Sequence, residues 1–338
     1  MSRTAVLFNP QVHVKPGDYH DLYESVPLAR TRMAEASEAV GLDLAARFLG
    51  PDPDEINHGP VVRPASLALS AAIFELVWGD RPPPFLMAGL SLGQITAAHC
   101  AGSLSFADAA RMVHTMATIE EEVYGGGEYG VSFYYNVDLP GLRGSMEALA
   151  DDGRLIGPCA FTADDQMIAT GAVSALQELN QRALQHGGLG VLIPYGPPAH
   201  HPMMAEVQDR FAAEFRHLDA PRDPGCPLVC NMDAAELTTR DEVHRALVEQ
   251  YTHTVNWDLG LRRMAELGVD RVTIIGPGHF VRKSLEFTSA TFEVDAYLTA
   301  ADLGAHLAAE AGPGVDGADG ANGVSGAGPA ARSAVRTP

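Results

Sequence analysis

A serine between two glycines carries the most specific chemical signal in the chain. A short apolar run beginning at Phe85 enters Gly89-Leu90-Ser91-Leu92-Gly93, and helix-compatible residues follow from Ile95. A Gly-x-Ser-x-Gly sequence between a strand and a helix presents its serine hydroxyl on a sharp turn, where it can act as a nucleophile. A structural serine in a glycine-rich turn is the alternative, but the strand and helix signals on either side favour the nucleophile. We therefore predict that Ser91 attacks a carbonyl group and that the first N–H groups of the following helix face the resulting oxyanion.

Composition limits the possible partners. The 338 residues are 46% hydrophobic and 20% charged, as in a globular enzyme of one large domain or two modest ones. The net charge of −20 argues against nucleic acid and anionic membranes as partners, because phosphate binding needs positive charge. We find no apolar run of membrane-spanning length, and the N-terminus leads into a strand-like segment instead of a signal peptide. We expect a cytoplasmic monomer.

The cysteines do not form a metal-binding pattern. Cys100 and Cys159 are isolated, and Cys226 and Cys230 have no nearby cysteine or histidine pair to complete a tetrahedral zinc site. We therefore predict free thiols and no bound metal.

The order of predicted elements indicates two domains. Strands and helices alternate in residues 1–126 and again in 198–310, which predicts a parallel sheet covered by helices. Residues 127–197 instead follow the strand-helix-strand-strand-helix-strand order of a ferredoxin-like unit. We predict a discontinuous α/β large domain with this small domain inserted, followed by a disordered glycine-rich tail at 311–338.

Local signals set several helix boundaries. Apolar residues at helical spacing between Tyr19 and Val40 are interrupted by Pro27, which predicts two helices meeting at a kink. We expect a further helix to begin after Pro64, and we expect Ser105 to cap the helix that follows it.

Six short landmarks are distributed along residues 4 to 300. In chain order they are Leu7-Phe8-Asn9-Pro10-Gln11, Asp21-Leu22-Tyr23, Gly89-Leu90-Ser91-Leu92-Gly93-Gln94, Ala101-Gly102-Ser103-Leu104-Ser105-Phe106, Ala199-His200-His201-Pro202-Met203-Met204 and Gly276-Pro277-Gly278. Together they resemble the malonyl-CoA:acyl carrier protein transacylase family and the acyltransferase domains of polyketide synthases. The resemblance implies an α/β-hydrolase-like large domain with a ferredoxin-like insertion. It also implies an acyl-serine intermediate, acyl carrier protein partners and no cofactor beyond the phosphopantetheine or coenzyme A that carries the acyl group.

The same resemblance assigns roles to individual residues. The family pairs its serine with a histidine in a His-x-Pro-x-Met segment, which corresponds to His200, although His201 stands beside it. The family orients that histidine with a main-chain carbonyl, and the matching residue is Gln250. The oxyanion hole corresponds to the backbone N–H groups of Leu92 and Gln11.

Departures from the family pattern concern the acyl-binding pocket. Leu90 stands where the family has histidine, Met116 where it has the arginine that binds the malonyl carboxylate, and Thr162 where it has asparagine. With His201, these residues form our predicted substrate-binding set. A thioether cannot pair with a carboxylate, so malonyl is a poor substrate candidate unless another cation, such as Arg111 or Arg154, replaces the missing arginine.

We therefore expect an acyltransferase that moves a non-malonyl starter, aminoacyl or dipeptidyl unit between acyl carrier proteins, as in polyketide or macrolactam assembly. In this respect the chain is similar to vicenistatin-type carrier-to-carrier acyltransferases. The alternatives are a hydrolase that clears stalled acyl groups from carrier proteins, a malonyl- or acyl-CoA:carrier transacylase, and an inactive scaffold that binds carrier protein.

Overall fold

The computed structural model describes residues 2–125, 127–193, 197–216 and 222–310, so the predicted tail at 311–338 lies outside the described residues. The strands are β1 Thr4–Phe8, β2 Leu86–Gly89, β3 Tyr129–Tyr135, β4 Ile156–Ala163, β5 Gln166–Ala172, β6 Leu189–Ile193, β7 Leu228–Val229, β8 Glu236–Leu237, β9 Val255–Asn256, β10 Arg271–Ile275 and β11 Glu293–Tyr297. The helices are α1 His20–Ser25, α2 Pro27–Val40, α3 Leu44–Phe48, α4 Pro53–Ile56, α5 Gly59–Trp78, α6 Leu92–Cys100, α7 Phe106–Tyr124, α8 Leu139–Asp151, α9 Val173–Ala183, α10 Ala205–Phe215, α11 Arg240–Glu249, α12 Trp257–Glu266, α13 Phe280–Ser284 and α14 Ala300–Glu310.

The main sheet has the strand order β11-β10-β1-β2-β7-β8. Its pairs are parallel except for β7 with β8, which is antiparallel. Alternate side chains of β1 enter different apolar clusters, with Val6 and Phe8 in one and Ala5 and Leu7 in the other. Both faces of the sheet are therefore buried at β1, which explains why Ala5 to Phe8 and the neighbouring β2 are apolar without alternation.

The second sheet has the order β6-β3-β5-β4-β9. Strands β3 to β6 are antiparallel neighbours and, with α8 and α9, form the predicted strand-helix-strand-strand-helix-strand unit. A separate apolar cluster that includes Tyr134, Leu142 and Leu176 lies between this sheet and its helices. Strand β9 comes from outside 127–197 and pairs in parallel with β4, where Val255 lies opposite Ala160. The fold is thus an α/β large domain with a ferredoxin-like small domain.

Helix α5 begins earlier than the sequence indicated, because Pro64 lies inside the helix and does not precede it. Proline has no N–H to donate to the carbonyl four residues back. That carbonyl belongs to Pro60, and the Nδ1 atom of His114 lies 3.1 Å from its oxygen. The side chain of His114 therefore supplies the donor that the proline removes.

Helix α5 also corrects our expectation that no apolar segment could span a membrane. It has 20 residues, and an 18-residue window within it has a mean hydropathy of 1.5, which is sufficient by length and composition. However, 78% of that window is buried inside the protein, and the side chains of the helix belong to the main core. The helix has the burial of a core helix in a globular domain.

Two other local predictions are confirmed. Helices α1 and α2 are separate, and Pro27 occupies the first turn of α2. Ser105 caps α7 by accepting a hydrogen bond from the Asp108 N–H at 3.1 Å. The four cysteines are free, as expected.

Candidate active site

Ser91 lies on a strained turn between β2 and α6. Its φ and ψ angles are 56° and −112°, a conformation that costs a residue with a side chain about 1–3 kcal/mol. The turn also brings backbones into close contact, since a Cβ on Gly89 would lie 2.1 Å from the carbonyl carbon of Gly93. A Cβ on Gly93 would lie 2.5 Å from the carbonyl oxygen of Phe8. Both glycines are therefore required for the serine to take this position.

A buried amide pair supports the turn from the adjacent strand. The Oδ1 atom of Asn231, just after β7, accepts a hydrogen bond from the Ser91 N–H at 3.0 Å. Its Nδ2 atom donates to the Gly89 carbonyl at 2.7 Å and to Oε1 of Gln94 at 2.6 Å. Gln94 in turn donates to the Ala246 carbonyl in α11 at 3.3 Å. This network was not predicted, because Asn231 and Gln94 are 137 residues apart and meet only once β2 and β7 are placed side by side.

His200 is positioned as a base for Ser91. Its Nε2 atom lies 2.7 Å from the Ser91 Oγ atom, and its Nδ1 atom lies 2.8 Å from the carbonyl oxygen of Gln250. A carbonyl can only accept, so Nδ1 carries the imidazole proton and Nε2 is free to accept the serine proton. His200 also has a positive φ of 54°, so both members of the pair lie on strained backbone.

The environment keeps His200 neutral. The pKa of His200 is lowered to about 4, mainly by burial and to a lesser extent by the positive charge of Arg63, while the hydrogen bond to the Gln250 carbonyl opposes the change. At neutral pH the imidazole is therefore unprotonated and can act as a general base.

Donors for an oxyanion are available beside the serine. Leu92 is the first residue of α6, and Gln11 follows the end of β1. Both residues line the cavity that contains Ser91. Among the described residues, neither backbone N–H group has a hydrogen-bond acceptor. They are therefore free to donate to a negatively charged oxygen formed at Ser91.

Ser91 and His200 line a cavity of about 830 Å³ between the two sheets. Its walls come from the serine turn, from α5 and α7, and from strands β3 to β6. A volume of this order accommodates a ligand of drug size, which is much larger than a malonyl group. Cys159 also lines the cavity, but burial raises the pKa of its thiol to about 12, so it is not a competing nucleophile.

Two of the four predicted substrate-binding residues line this cavity. Leu90 and Met116 are in its wall and are 5% and 7% exposed. The prediction was wrong for the other two, Thr162 and His201, which lie outside the cavity lining. Thr162 is fully buried outside the lining, where its hydroxyl lies 3.5 Å from Oε1 of Gln166, and Gln166 reaches the cavity in its place. His201 is outside the lining because its Nδ1 atom accepts from the Met203 N–H at 3.3 Å and caps a short 3₁₀ turn.

The cations considered as replacements for the missing arginine are also elsewhere. Arg111 pairs with Asp108 at 3.0 Å, Arg154 pairs with Glu178 at 3.0 Å, and neither lines the cavity. The buried cation in the described part of the wall is instead Arg63, which is not among the predicted site residues.

Arg63 forms an ion pair with Glu120, and both side chains are buried cavity residues. Its Nε atom also donates to Oε1 of Gln11 at 2.6 Å. Glu120 lies one turn after Met116 on α7, on the same face of the helix. A lone arginine within the apolar α5 segment was the available sequence signal. Among the described residues there is no cluster that could hold a metal ion.

A strained serine at a strand-to-helix turn, a histidine at 2.7 Å and an adjoining cavity form an arrangement that can transfer an acyl group, on an α/β fold. No protein-family model matches the chain. It is 30% identical over 281 residues to the malonyl CoA-acyl carrier protein transacylase of Escherichia coli K12, covering 82% of this chain and 90% of that relative. The corresponding transacylase of Bacillus subtilis 168 is 25% identical over 279 residues, covering 82% and 88%.

Solved structures agree with these relatives. A malonyl-transacylase in complex with its type II PKS acyl carrier protein superimposes with a TM-score of 0.85 at 26% identity, covering 91% of this chain and 100% of that one. An acyl carrier protein S-malonyltransferase from Vibrio cholerae gives 0.82 at 25% identity, covering 90% and 99%. The chain therefore belongs to the malonyl CoA-acyl carrier protein transacylase family and is an acyltransferase.

Proposed function

We propose that this enzyme moves a non-malonyl acyl unit from one acyl carrier protein to another through an acyl-Ser91 intermediate. The observation that carries the proposal is the apolar Met116 in the cavity wall, together with a buried arginine whose charge is already neutralised by Glu120. The relatives' names and the complex with an acyl carrier protein support carrier proteins as partners.

The acylation step follows from the geometry of the pair. Nε2 of His200 accepts the Ser91 proton as Oγ attacks the thioester carbonyl, and the N–H groups of Leu92 and Gln11 donate to the oxyanion. The intermediate then collapses, the carbon–sulfur bond breaks, and His200 returns the proton to the departing thiol. A second carrier thiol reverses the sequence and takes the acyl group from Ser91.

The cavity disfavours a free carboxylate. A malonyl carboxylate against Met116 and Leu90 would lose its hydration without gaining a cationic partner. Arg63 is unsuited to that role while it pairs with Glu120, since the pair carries no net charge. Lys283, a further cation in the described lining, is exposed. The proposed donor is therefore an uncharged acyl chain larger than malonyl.

The proposed enzyme needs no cofactor beyond the phosphopantetheine arm of the carrier, or coenzyme A, and acts in the cytoplasm as a monomer in polyketide or macrolactam assembly.

The test is a panel of acyl donors on carrier protein, followed by intact mass measurement of the enzyme. Malonyl is compared with neutral acyl groups of increasing length, with and without a second carrier protein. We expect neutral groups to form a stable adduct on Ser91 that only the second carrier discharges. Preferential loading of malonyl would contradict the proposal, and rapid release of free acid without a second carrier would identify a hydrolase instead.

A further inference from the structure

The side chain of Gln11 is held by a buried ion pair. Nε of Arg63 donates to Oε1 of Gln11 at 2.6 Å, while Nη2 of the same guanidinium donates to Glu120. The side chains of Arg63 and Glu120 are 10% and 6% exposed, so water competes little for these contacts. Hydrogen bonds from a charged donor are also stronger than those between neutral groups. Arg63 therefore connects α5, α7 and the loop that contains Gln11.

The loop after β1 has no regular secondary structure, and its other anchors lie on either side of Gln11. On one side, Nδ2 of Asn9 donates to the Gly278 carbonyl at 3.1 Å. On the other side, the Val14 N–H donates to Oδ1 of Asn57 at 2.9 Å. Among the described residues, the hydrogen bond from the guanidinium is the contact that fixes Gln11 itself.

The same loop lies against the turn that carries the nucleophile. Gly93, the second residue of α6, packs on the end of β1, since a Cβ there would lie 2.5 Å from the carbonyl oxygen of Phe8 and 2.9 Å from that of Asn9. Gln11 and Ser91 accordingly line one cavity. An oxyanion donor is effective only within about 2.7–3.1 Å of the developing oxygen. A small displacement of the loop would therefore weaken the hydrogen bond from the Gln11 N–H.

We propose that Arg63 is a positioning residue for the oxyanion hole: by holding the side chain of Gln11, it keeps the Gln11 N–H directed at the oxyanion formed when Ser91 attacks the thioester. Glu120 keeps the guanidinium in place, and in this role Arg63 acts through Gln11 and not on the acyl group. A buried ion pair can often be replaced by apolar residues without loss of stability, so stability alone does not account for this one. The inference rests on the acyl-Ser91 step of the proposed function and not on the identity of the acyl unit.

A double-mutant cycle tests the connection between the two side chains. Gln11→Met removes the acceptor but keeps the backbone N–H, and Arg63→Met with Glu120→Met removes both charges together. The rate of acyl-Ser91 formation is measured in single turnovers, with the donor that loads fastest among malonyl and neutral thioesters on carrier protein. We expect each change to lower the maximal rate about tenfold, less than the loss of about 10² to 10³ when an oxyanion donor is removed outright. All three substitutions together should also cost about tenfold, because they interrupt one connection.

Further measurements separate positioning from substrate binding and from charge. The KM for the donor should stay within about twofold of the parent value, because the positioned N–H stabilises the oxyanion more than the bound thioester. Gln11→Met leaves the charge of Arg63 near His200 unchanged, so a loss of rate in this variant does not come from the pKa of His200. Arg32→Met with Glu75→Met removes an ion pair between α2 and α5 outside the cavity lining, and it should acylate at the parent rate.

Stability is measured separately, as the free energy of unfolding of each variant in denaturant. Gln11 lies in a loop and is only partly buried, so Gln11→Met should fold like the parent. This variant therefore tests the inference even where the charge-free variant of Arg63 and Glu120 does not fold.

The outcomes are distinguishable. A parent rate in Gln11→Met would overturn the inference, and so would a combined loss of about a hundredfold, since the two side chains would then act independently. A higher KM with an unchanged maximal rate would overturn it by assigning the cluster to substrate binding. Preferential loading of malonyl would overturn the proposed function, yet a cycle that gave the expected result with that donor would support the role of Arg63. Absence of any adduct in the parent would overturn both.

Discussion

The side chain of Asn231 holds the backbone of Ser91 across 140 residues of sequence, by accepting the serine N–H at 3.0 Å. The same side chain donates to the carbonyl of Gly89, so one amide fixes the turn on both sides of the serine. This contact opposes the tendency of a strained residue to relax.

Asn231→Ala should therefore destabilise the fold and misplace the nucleophile. Removing the amide leaves the Ser91 N–H and the Gly89 carbonyl without partners, which costs about 1–3 kcal/mol. We expect a lower free energy of unfolding in denaturant titrations and a lower rate of acyl-Ser91 formation. Asn231→Asp, which would place a buried carboxylate oxygen against the Gly89 carbonyl and Oε1 of Gln94, should lose at least as much stability and activity as the alanine variant. Unchanged stability and rate in Asn231→Ala would show that the turn keeps its conformation without the hydrogen bonds of Asn231.

Ser91→Ala should abolish covalent acyl loading while the protein stays folded. The substitution removes the Oγ atom and leaves the glycines that allow the turn unchanged. Intact mass after incubation with an acyl donor measures loading, and circular dichroism checks the fold. Ser25→Ala on the exposed surface of α1 is the matched control and should load normally. An adduct that persists in Ser91→Ala would remove Ser91 as the nucleophile.

Alanine variants of the adjacent residues His200 and His201 should have very different acylation rates. His200→Ala removes the base at 2.7 Å from Ser91 and should slow acylation by about 10² to 10⁴. His201→Ala removes a capping acceptor and should cost about 1 kcal/mol of stability with a small effect on the rate. Single-turnover acylation rates compare the two variants. A larger loss of rate in His201→Ala would reverse the assignment.

Acylation should depend little on pH in the neutral range. Burial is the main reason that the pKa of His200 is lowered to about 4. The imidazole therefore stays unprotonated as the pH falls, and it loses its ability to accept the serine proton only near pH 4. Because its ordinary pKa is 6.5, the unfolded chain binds a proton that the folded chain excludes between these values. The free energy of unfolding should accordingly decrease as the pH falls from about 6.5 toward 4. A single-turnover rate that falls to half near pH 6.5 would contradict a buried, neutral His200.

Met116→Arg should shift preference toward malonyl, but only partly. The new guanidinium would lie in the cavity wall one turn from Glu120, which would compete with the malonyl carboxylate for it. Relative kcat/KM for malonyl and a neutral donor, in the parent and the variant, measures the shift. A parent that already prefers malonyl would remove Met116 as a determinant of specificity.

Much of the fold was predictable because its signals are local. The break at Pro27, the cap at Ser105 and the order of the small-domain elements depend on neighbouring residues, and the structure confirms them. The two-residue strands β8 and β9 were missed because strands this short have no detectable alternation. The start of α5 was placed too late, since its proline is tolerated only through a side chain from another helix.

The residues of the candidate site likewise fall into those that the sequence predicted and those that only the packing of distant elements reveals. The landmarks that resemble the family included Ser91 and His200, which the structure brings to 2.7 Å. Resemblance also placed Thr162 and His201 in the pocket, although it fixes position along the chain and not the direction of a side chain. The ion pair of Arg63 and Glu120 joins α5 to α7, and such a pairing is visible only once the helices are packed.

The pairing of β9 with β4 has a consequence for engineering. Val255 and Asn256 complete the second sheet, yet they follow closely on Gln250, whose carbonyl orients His200. A chimera that exchanged only residues 127–197 with a relative would join a foreign sheet edge to this native strand. The unit to exchange therefore consists of two separate segments, 127–197 and 255–256. A graft of both segments should preserve the alignment of His200, whereas a graft of 127–197 alone should lose it.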